Sequence, residues 1–417
     1  MDYLCIDLKC FYASVECVDR GLDPFKTSLV VADKSRGNGS ICLAISPQLK
    51  SLGVKNRCRL FDIPKNINYI IAKPRMKKYI DVSAEIYSVY LKYISKEDIH
   101  VYSIDEAFLD VTHYHKLYNK STMEIGKMII DDIYNKTGIT AACGGGPNMF
   151  LAKIALDIMA KKTEGNIAYL SEADFKLHLW DHRKLTDFWQ IGQGIARRLN
   201  KLGLYCLKDV AYADEKILYK EFGVNAEFLI NHSKGIDPTT IKTIKEYVPK
   251  QKSLSSGQVL EKDYNYHDGA LVIKEMVDGL VLDLVRKRLV TDRIAFSVGY
   301  SNDYETDPVG MSKKLNVVTN SYDIISKEIS EMYEKKVLKN VPIRRIMIVF
   351  GNLQDESFEQ YDLFTNIDKI NKEKKLQDAI IDIKDKYGKS SILRGTNLEE
   401  NATTLKRNKL IGGHNGE

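Results

Sequence analysis

Two adjacent stretches constrain this chain more than any other feature. YLCIDL (3–8) is an apolar run that reads as a buried strand, and FYASVECV (11–18), directly after it, spaces its apolar residues as a helix does. A strand that passes into a helix within two residues leaves its acid, Asp7, at a strand end. The same pattern recurs downstream. TSLVVAD (27–33) reads as a strand and leads through the glycine-bearing loop RGNGS (36–40) to a further apolar run, ICLAI (41–45). Residues 76–97 have the period of an amphipathic helix, and IHVYSIDEAFLDVT (99–112) reads as two strands around a bend that carries Asp105 and Glu106. After a helix at 122–136, ITAACGGG (139–146) is a strand entering a glycine-rich turn, and 147–162 is a helix with Pro at its start. This order fits a split βαβ sheet with helices on one face.

Residues 165–240 read as wholly helical, with turns at IGQG (191–194) and LGLY (202–205). From 253 onward the order is strand, helix, strand, then strand, helix, strand, a weak duplication that predicts a second sheet-and-helix domain. The polar, basic segment 242–253 is the linker between them. Beyond 352 the apolar density falls, one helix is expected at 367–386, and the polar end TLKRNKLIGGHNGE is expected to fray.

The bulk properties agree with several globular domains. The chain has 417 residues, 44% of them apolar and 28% charged, which excludes wholesale disorder. It contains no long uncharged apolar run and no signal-peptide pattern at the start, so a cytoplasmic protein is expected. The seven cysteines never fall in a C-x-x-C pair and mostly lie in apolar runs, so they read as reduced, structural thiols. The net charge is +6, and the excess lies in residues 1–351, which carry +7, because residues 352–417 hold 11 basic and 12 acidic residues. That excess hints at a polyanionic partner.

Three acids fall at sheet ends: Asp7, Asp105 and Glu106. Paired carboxylates at such places suit two hard divalent cations, which take oxygen ligands and can clamp both ends of a phosphoryl transfer; Mg²⁺ is the expected metal. Taken singly, either acidic motif also reads as turn and cap residues.

IDLKCFYASVE (6–16), YSIDEAFLDVT (102–112) and GGGPNMFLAKIA (144–155) together resemble the three signature stretches of the Y-family, or translesion, DNA polymerases, in particular the UmuC-like bacterial branch. The likeness extends over about residues 1–350, with a shorter match in the tail. It implies an α+β multidomain right-hand fold. Its parts would be a ferredoxin-like palm (1–20 and 74–165), small fingers (21–73), a helical, helix-hairpin-helix thumb (166–241), a linker (242–252), a βαββαβ little finger (253–352) and a tail (353–417).

The resemblance also implies residue roles. Asp7, Asp105 and Glu106, with the Leu8 carbonyl, match the ligands of two Mg²⁺ ions in template-directed nucleotidyl transfer to a primer 3′-end. Phe11, Tyr12, Lys50 and Lys153 match nucleotide-binding positions, and Tyr12 is the steric gate against ribose. A helix N-terminus at Pro147-Asn148 and the preceding glycines would add backbone donors to the triphosphate site. Three positions depart from the family pattern: Lys9 stands where relatives have Asp or Asn, Pro47 where many have tyrosine, and Ala44 where some have a hydroxyl residue.

For DNA, DFWQIGQGIARRLNKLG (187–203) resembles a helix-hairpin-helix, in which Ile191, Gly192, Gly194, Arg197 and Arg198 would meet the phosphate backbone. A plain αα-hairpin is the alternative. The later sheet domain adds Lys252, Arg286, Lys287, Arg288, Arg293, Lys313, Lys314, Arg344 and Arg345. QYDLF (360–364) resembles the bacterial sliding-clamp-binding motif, with Gln360, Leu363 and Phe364 as its anchors. The implied function is low-fidelity translesion DNA synthesis in SOS-type damage tolerance. The implied partners are primer-template DNA, deoxynucleoside triphosphates, a β-type clamp, and a recombinase or damage-response protein for the tail. Two rival readings are a palm-type nucleotidyl cyclase and a non-catalytic DNA- and clamp-binding accessory protein.

Overall fold

The computed structural model describes residues 1–361, 363 and 366–417, and divides into two compact units, residues 1–247 and 248–416. Among the described residues no helix is long and apolar enough to cross a membrane.

In the first unit a five-stranded sheet runs Ile99–Val101, Glu106–Asp110, Tyr3–Leu8, Ala141–Gly146, Ile167–Tyr169 in spatial order. The first four strands are antiparallel neighbours and the last pair is parallel. Tyr3–Leu8 is central, and its nearly continuous apolar run is explained by burial on both faces. Leu4, Ile6 and Leu8 pack with Ile86, Val89, Ile125 and Ile129 of the helices Met76–Tyr93 and Thr122–Thr137. Tyr3 and Cys5, on the other face, pack with Met149, Ala152 and Leu156. Helices therefore cover both faces, not the one face expected.

Gly144 and Gly146 make the second layer possible. A Cβ on Gly144 would lie 2.3 Å from the Ala152 carbonyl oxygen, and one on Gly146 would lie 2.7 Å from the Ala152 nitrogen. They let the helix Met149–Ile154 cross the sheet at close range; they are packing residues and do not present donors to a phosphate. That helix's N-terminus is closed as well: Asn148 is buried, its side chain accepts from Leu151 N–H at 2.8 Å and donates to the Gly235 carbonyl at 2.9 Å. The expected phosphate-binding helix end is thus an internal cap.

Ile167–Tyr169 corrects the wholly helical reading of 165–240, because this strand completes the first sheet. A strand of three residues has no period to read. A second small sheet, Ala44–Ile45, Leu29–Val31, Ile70–Ala72, occupies the insert between the first helix and Met76. The helices Gln193–Lys201, Leu207–Tyr212, Glu215–Phe222 and Ala226–Ser233 share a core with Phe150, Phe175 and Phe188. Ile241–Glu246, expected to be linker, is a helix capped by Thr240.

The second unit is an antiparallel sheet in the order Val309–Thr319, Leu289–Tyr300, Ile343–Gly351, Leu254–Tyr264. One face is covered by the helices Tyr266–Arg286 and Tyr322–Lys336, which share its apolar core. The tail helix Ile367–Tyr387 packs against Tyr266–Arg286. The polar end does not fray. Glu275 is buried and accepts from Asn397, Thr403 and Thr404, including the Thr403 N–H at 2.7 Å, and Leu410–Ile411 pairs with His414–Asn415. One buried carboxylate supplies an anchor that the tail's own composition did not reveal.

Candidate active site

The first strand turns into its helix at Cys10, which adopts the left-handed conformation (φ 49°), and Ser14 donates to the Lys9 carbonyl at 2.7 Å to hold the turn. A non-glycine residue in that region costs about 1–2 kcal/mol, strain of the kind that collects at functional sites. Three residues before Cys10, Asp7 is the direct cross-strand partner of Glu106. Directly opposed residues project to the same face, with Cβ atoms about 4.5–5.5 Å apart. Asp105 joins them through the backbone: its carbonyl accepts from Leu8 N–H at 2.9 Å, and its carboxylate accepts from the Ser103 hydroxyl at 2.7 Å.

The helix that crosses this face brings the counter-charges. Its middle turn, Ala155–Met159, is a wider π-turn, a form often found at functional sites. Lys153, Asp157 and Lys161 follow one another at four-residue intervals along it. Lys153 Nζ lies 2.6 Å from Glu106 Oε1 and 3.0 Å from Asp157, and Lys161 Nζ lies 3.0 Å from Asp7 Oδ2 and 2.8 Å from Asp157. Two ammonium groups and three carboxylates thus alternate along one line.

Burial pushes the Asp7 carboxyl above its ordinary pKa, Lys161 opposes that, and Asp105 and Glu106 push it further up. Burial works against the Lys153 charge, yet Cys5, Glu106 and Asp157 around it hold its pKa above the ordinary lysine value. Lys161 is held up by Asp7 and Asp157 against the same burial penalty. These are groups kept charged by their neighbours.

The donor set suits a hard divalent cation, because Asp7, Asp105 and Glu106 offer only carboxylate oxygens and two already hold positive charge at 2.6–3.0 Å. As the side chains stand, no group of three His, Cys, Asp or Glu residues among the described residues is gathered to hold a metal. Lys153 and Lys161 occupy Glu106 and Asp7 instead.

Tyr12 stacks on Tyr79, with ring centroids 4.4 Å apart and planes 16° from parallel. Burial raises the Tyr12 pKa and Asp105 adds to it, which places the ring within the field of the acid cluster. Phe11 is buried in the core beside Tyr12, at 5.7 Å between centroids, and backs that ring without an open face of its own. Tyr79 is fully buried, and its hydroxyl donates to Glu16 at 2.8 Å. Glu16 is itself buried and takes two bonds at 2.9 Å from Arg75 and another from Arg20.

The Lys9 ammonium bonds to Asn166. Burial lowers its pKa, Asp7 is close enough to raise it, and Lys161 and Lys50 lower it further, so three lysines share this side of the site. Lys50 is exposed in the last turn of the short helix Pro47–Ser51. Pro47 has a structural reason to be there: it stands at the first helical position after the cap Ser46, where a missing N–H costs nothing.

The proposed DNA-binding residues separate by their partners. Ile191 is buried, while Gly192 and Gly194 are exposed with open space about them. Arg197 is exposed at an open depression of about 460 Å³ that it shares with Gln193, Asn200, Lys201 and Tyr205. Arg198 is spent within the fold, 2.7 Å from Glu221 and 4.5 Å over the Phe222 ring. The segment before the hairpin is a 3₁₀ turn, Leu185–Asp187, and the helix after it is Gln193–Lys201.

In the second unit Arg286, Arg288, Lys313 and Arg344 are ion-paired to Asp385, Glu356, Glu328 and Asp263. Arg293, Lys314 and Arg345 alternate onto the uncovered face of the sheet, beside small residues such as Ala295, Ser297, Gly299 and Gly310, with Lys314 3.9 Å from Asp292. In the tail, Gln360 N–H donates to the Val318 carbonyl at 2.9 Å and Leu363 is 99% exposed; Phe364 lies outside the described residues.

Sequence reasoning missed Asp157, Lys161, Asn166 and the Glu16–Arg75–Tyr79 cluster. The four-residue interval of Lys153, Asp157 and Lys161 was the available signal.

Residues 6–157 match the model of the impB/mucB/samB family, and residues 251–363 match that of the family's C-terminal domain. UvrX of Bacillus subtilis (strain 168), whose name ties it to UV-damage repair, is 32% identical over 99% of this chain and 97% of its own. A protein named DNA polymerase IV 2, from the same organism, is 28% identical over 98% of this chain and 97% of its own. Among solved structures, the Y-family DNA polymerase chimera Dbh-Dpo4(243-245)-Dbh superposes with a TM-score of 0.64 at 23% identity, covering 85% of this chain and all of that one. That last likeness is one of fold.

Proposed function

The chain belongs to the impB/mucB/samB family of Y-family, translesion DNA polymerases, and on that premise we propose that Asp7, Asp105 and Glu106, with the Leu8 carbonyl, hold two Mg²⁺ ions for template-directed nucleotidyl transfer. The observation that carries this reading is the register of Asp7 against Glu106 with Asp105 bonded to the adjoining residue. When bound, the ions acidify the primer 3′-hydroxyl and neutralise charge on the departing pyrophosphate. The protein's part is positioning and charge. Lys161 and Lys153, now paired with Asp7 and Glu106, are the cations available to a triphosphate once the acids have other partners. Lys50 and Lys9 extend the same cationic side.

The Tyr12 ring, stacked on a buried tyrosine, is rigid enough to exclude a 2′-hydroxyl and so acts as the steric gate. In family terms the first sheet and its helices are the palm, extended past 165 to include Ile167–Tyr169. The insert 21–73 is the fingers, the helical cluster to 241 the thumb, 253–352 the little finger and 353–417 the tail. Arg197, with the exposed glycines 192 and 194, and the open sheet face bearing Arg293, Lys314 and Arg345 serve the DNA backbone. Such contacts fix position without reading sequence.

The fully exposed Leu363 supports a clamp-binding role for Gln360, Leu363 and Phe364. Tethering of that kind raises local concentration on DNA without any new catalytic contact. The setting is cytoplasmic, SOS-type damage tolerance, with a recombinase or damage-response protein as a further tail partner.

The test is primer extension on intact and lesion-bearing templates with deoxynucleotides and Mg²⁺. Wild-type protein should extend past the lesion, and Asp105→Asn should lose roughly 10²–10³-fold or more in rate while still binding DNA. Extension that survives Asp105→Asn would remove the acid cluster from the chemistry. A cyclic nucleotide product, or no product at all, would instead favour the cyclase or accessory reading.

A further inference from the structure

Cys42 and Cys58 face one another in the insert at 21–73, although sixteen positions separate them in sequence and neither belongs to a recognisable cysteine motif. Ile41 and Arg59 form an antiparallel bridge, flanked by Cys42 N–H donating to the Cys58 carbonyl at 2.8 Å and Leu60 N–H donating to the Ser40 carbonyl at 3.1 Å. Cys42 and Cys58 are the next opposed positions, joined by one of the two backbone bonds of a hydrogen-bonded pair, a kind of pair whose Cα atoms lie about 5.5 Å apart. Their thiols hydrogen-bond to one another. Disulfides most often span about 5.5–6 Å between Cα atoms. The backbone therefore already holds the two sulfurs at bridging range.

The pair is also asymmetric. Cys42 is fully buried among Val30, Ile45 and Leu49, whereas Cys58 is only partly buried at the edge of the same core. Burial and the Cys58 thiol push the Cys42 thiol up to about 12. An oxidant in solution reaches Cys58 first, and Cys42 stays protonated behind it.

We propose that Cys42 and Cys58 form a reversible redox site, in which oxidation closes a disulfide across the segment that carries Lys50. A hydroperoxide oxidises the Cys58 thiol to a sulfenic acid and leaves as water or an alcohol. The Cys42 sulfur then attacks the Cys58 sulfur, the S–O bond breaks, and the hydroxyl departs as water with the Cys42 proton. The peroxide has gained two electrons and the thiol pair has lost two. A small dithiol reverses the step by exchange. Both ends of 42–58 are then fixed, with the helix Pro47–Ser51 and Lys50 between them. Intracellular disulfides of this sort are commonly transient and sensory.

The reduced full-length protein, treated with hydrogen peroxide, alkylated and mapped by mass spectrometry, tests the site. Two of the seven thiols should disappear together, as a peptide linking Cys42 to Cys58 that dithiothreitol releases. Cys58→Ser should leave Cys42 free under the same treatment, and Cys42→Ser should stop Cys58 at a sulfenic acid that dimedone traps. A reversible change in nucleotide KM on oxidation, absent from Cys58→Ser, would tie the link to the Lys50 segment. Cys58 passing to sulfinic acid while Cys42 still alkylates, or either cysteine joined to a different one, would overturn the site. The bond forming with KM unchanged would overturn its coupling to Lys50. These thiol readouts do not depend on polymerase activity, so they succeed or fail separately from the proposed function.

Discussion

Lys161 Nζ lies 3.0 Å from Asp7 Oδ2, and the same ammonium lies 2.8 Å from Asp157. Asp7 is raised by burial and by Asp105 and Glu106, with Lys161 pulling the other way. Removing Lys161 takes away the largest lowering influence on Asp7, so more of Asp7 is protonated at a given pH. Lys161→Ala should therefore move the acid limb of the extension-rate profile to higher pH. It should also raise the nucleotide KM by roughly 10–100-fold, the scale of one charged hydrogen bond to phosphate. Steady-state kinetics across pH would measure both; an unmoved acid limb with an unchanged KM would mean that the pairing has no catalytic consequence.

Tyr12 rests on Tyr79 at 4.4 Å, and Tyr79 is held from behind by Glu16. A ring braced in this way discriminates by shape, so Tyr12→Ala should raise ribonucleotide incorporation relative to deoxynucleotide by roughly 10–200-fold. Single-nucleotide insertion with paired ribo- and deoxyribonucleoside triphosphates reads the ratio. Unchanged sugar selectivity would dismiss Tyr12 as the gate.

Much of the catalytic unit was legible in the chain because its signals are local. Tyr3–Leu8, Phe11–Asp19 and the acid-bearing bend before Glu106 all have periodicity or turn chemistry of their own. What escaped depends on distant contacts. Ile167–Tyr169 is a strand only because Cys143–Gly145 lies beside it. Gly144–Gly146 looked like a phosphate loop; Gly144 and Gly146 are the clearance for a crossing helix, and Gly145 meets Met123 and Tyr169 on the other face. Arg198 reads as a free surface cation in the sequence and is paired with Glu221 over the Phe222 ring in the fold. Charge and composition list the cations, and tertiary pairing decides which of them remain free.

Glu16 has no exposed side-chain surface, and burial alone would raise its carboxyl. Hydrogen bonds from Arg75, Arg20 and Tyr79 outweigh that and hold it below the ordinary glutamate value. A depressed carboxylate contributes stability above its unfolded pKa and loses it as pH falls through the folded value. This contribution should thus be complete at neutral pH and fade below about pH 4. Glu16→Gln should destabilise the protein by about 3–5 kcal/mol at pH 7, since the guanidinium partners stay behind without their counter-charge. Denaturant unfolding at pH 7 and near pH 3 checks the sign: the gap between variant and wild type should narrow at the lower pH.

Leu363 is almost wholly exposed, two residues beyond Tyr361, whose hydroxyl donates to Glu359 at 2.6 Å. An apolar side chain so placed adds nothing to the fold and is available to a partner's pocket. Replacing Gln360, Leu363 and Phe364 by alanine should abolish capture by a bacterial sliding clamp and leave clamp-free primer extension within about 2-fold of wild type, since truncations outside a core rarely cost more than about 0.5 kcal/mol. Loss of clamp-free extension would show that the segment is structural.

Arg293 and Arg345 lie on the uncovered face of the second sheet, whereas Arg286, Arg288 and Arg344 are held by Asp385, Glu356 and Asp263. Each free cation that meets a phosphate releases a counterion, so the logarithm of DNA affinity falls with the logarithm of salt in proportion to their number. Replacing Arg293 and Arg345 together by alanine should reduce that slope by about 2 and weaken primer-template binding equally for all sequences. The pair Arg286→Ala and Arg288→Ala should leave the slope unchanged, because their charges are already taken by carboxylates. Fluorescence anisotropy with labelled primer-template at several salt concentrations separates the two sets, and equal slopes for both double variants would mean that the open face does not carry DNA.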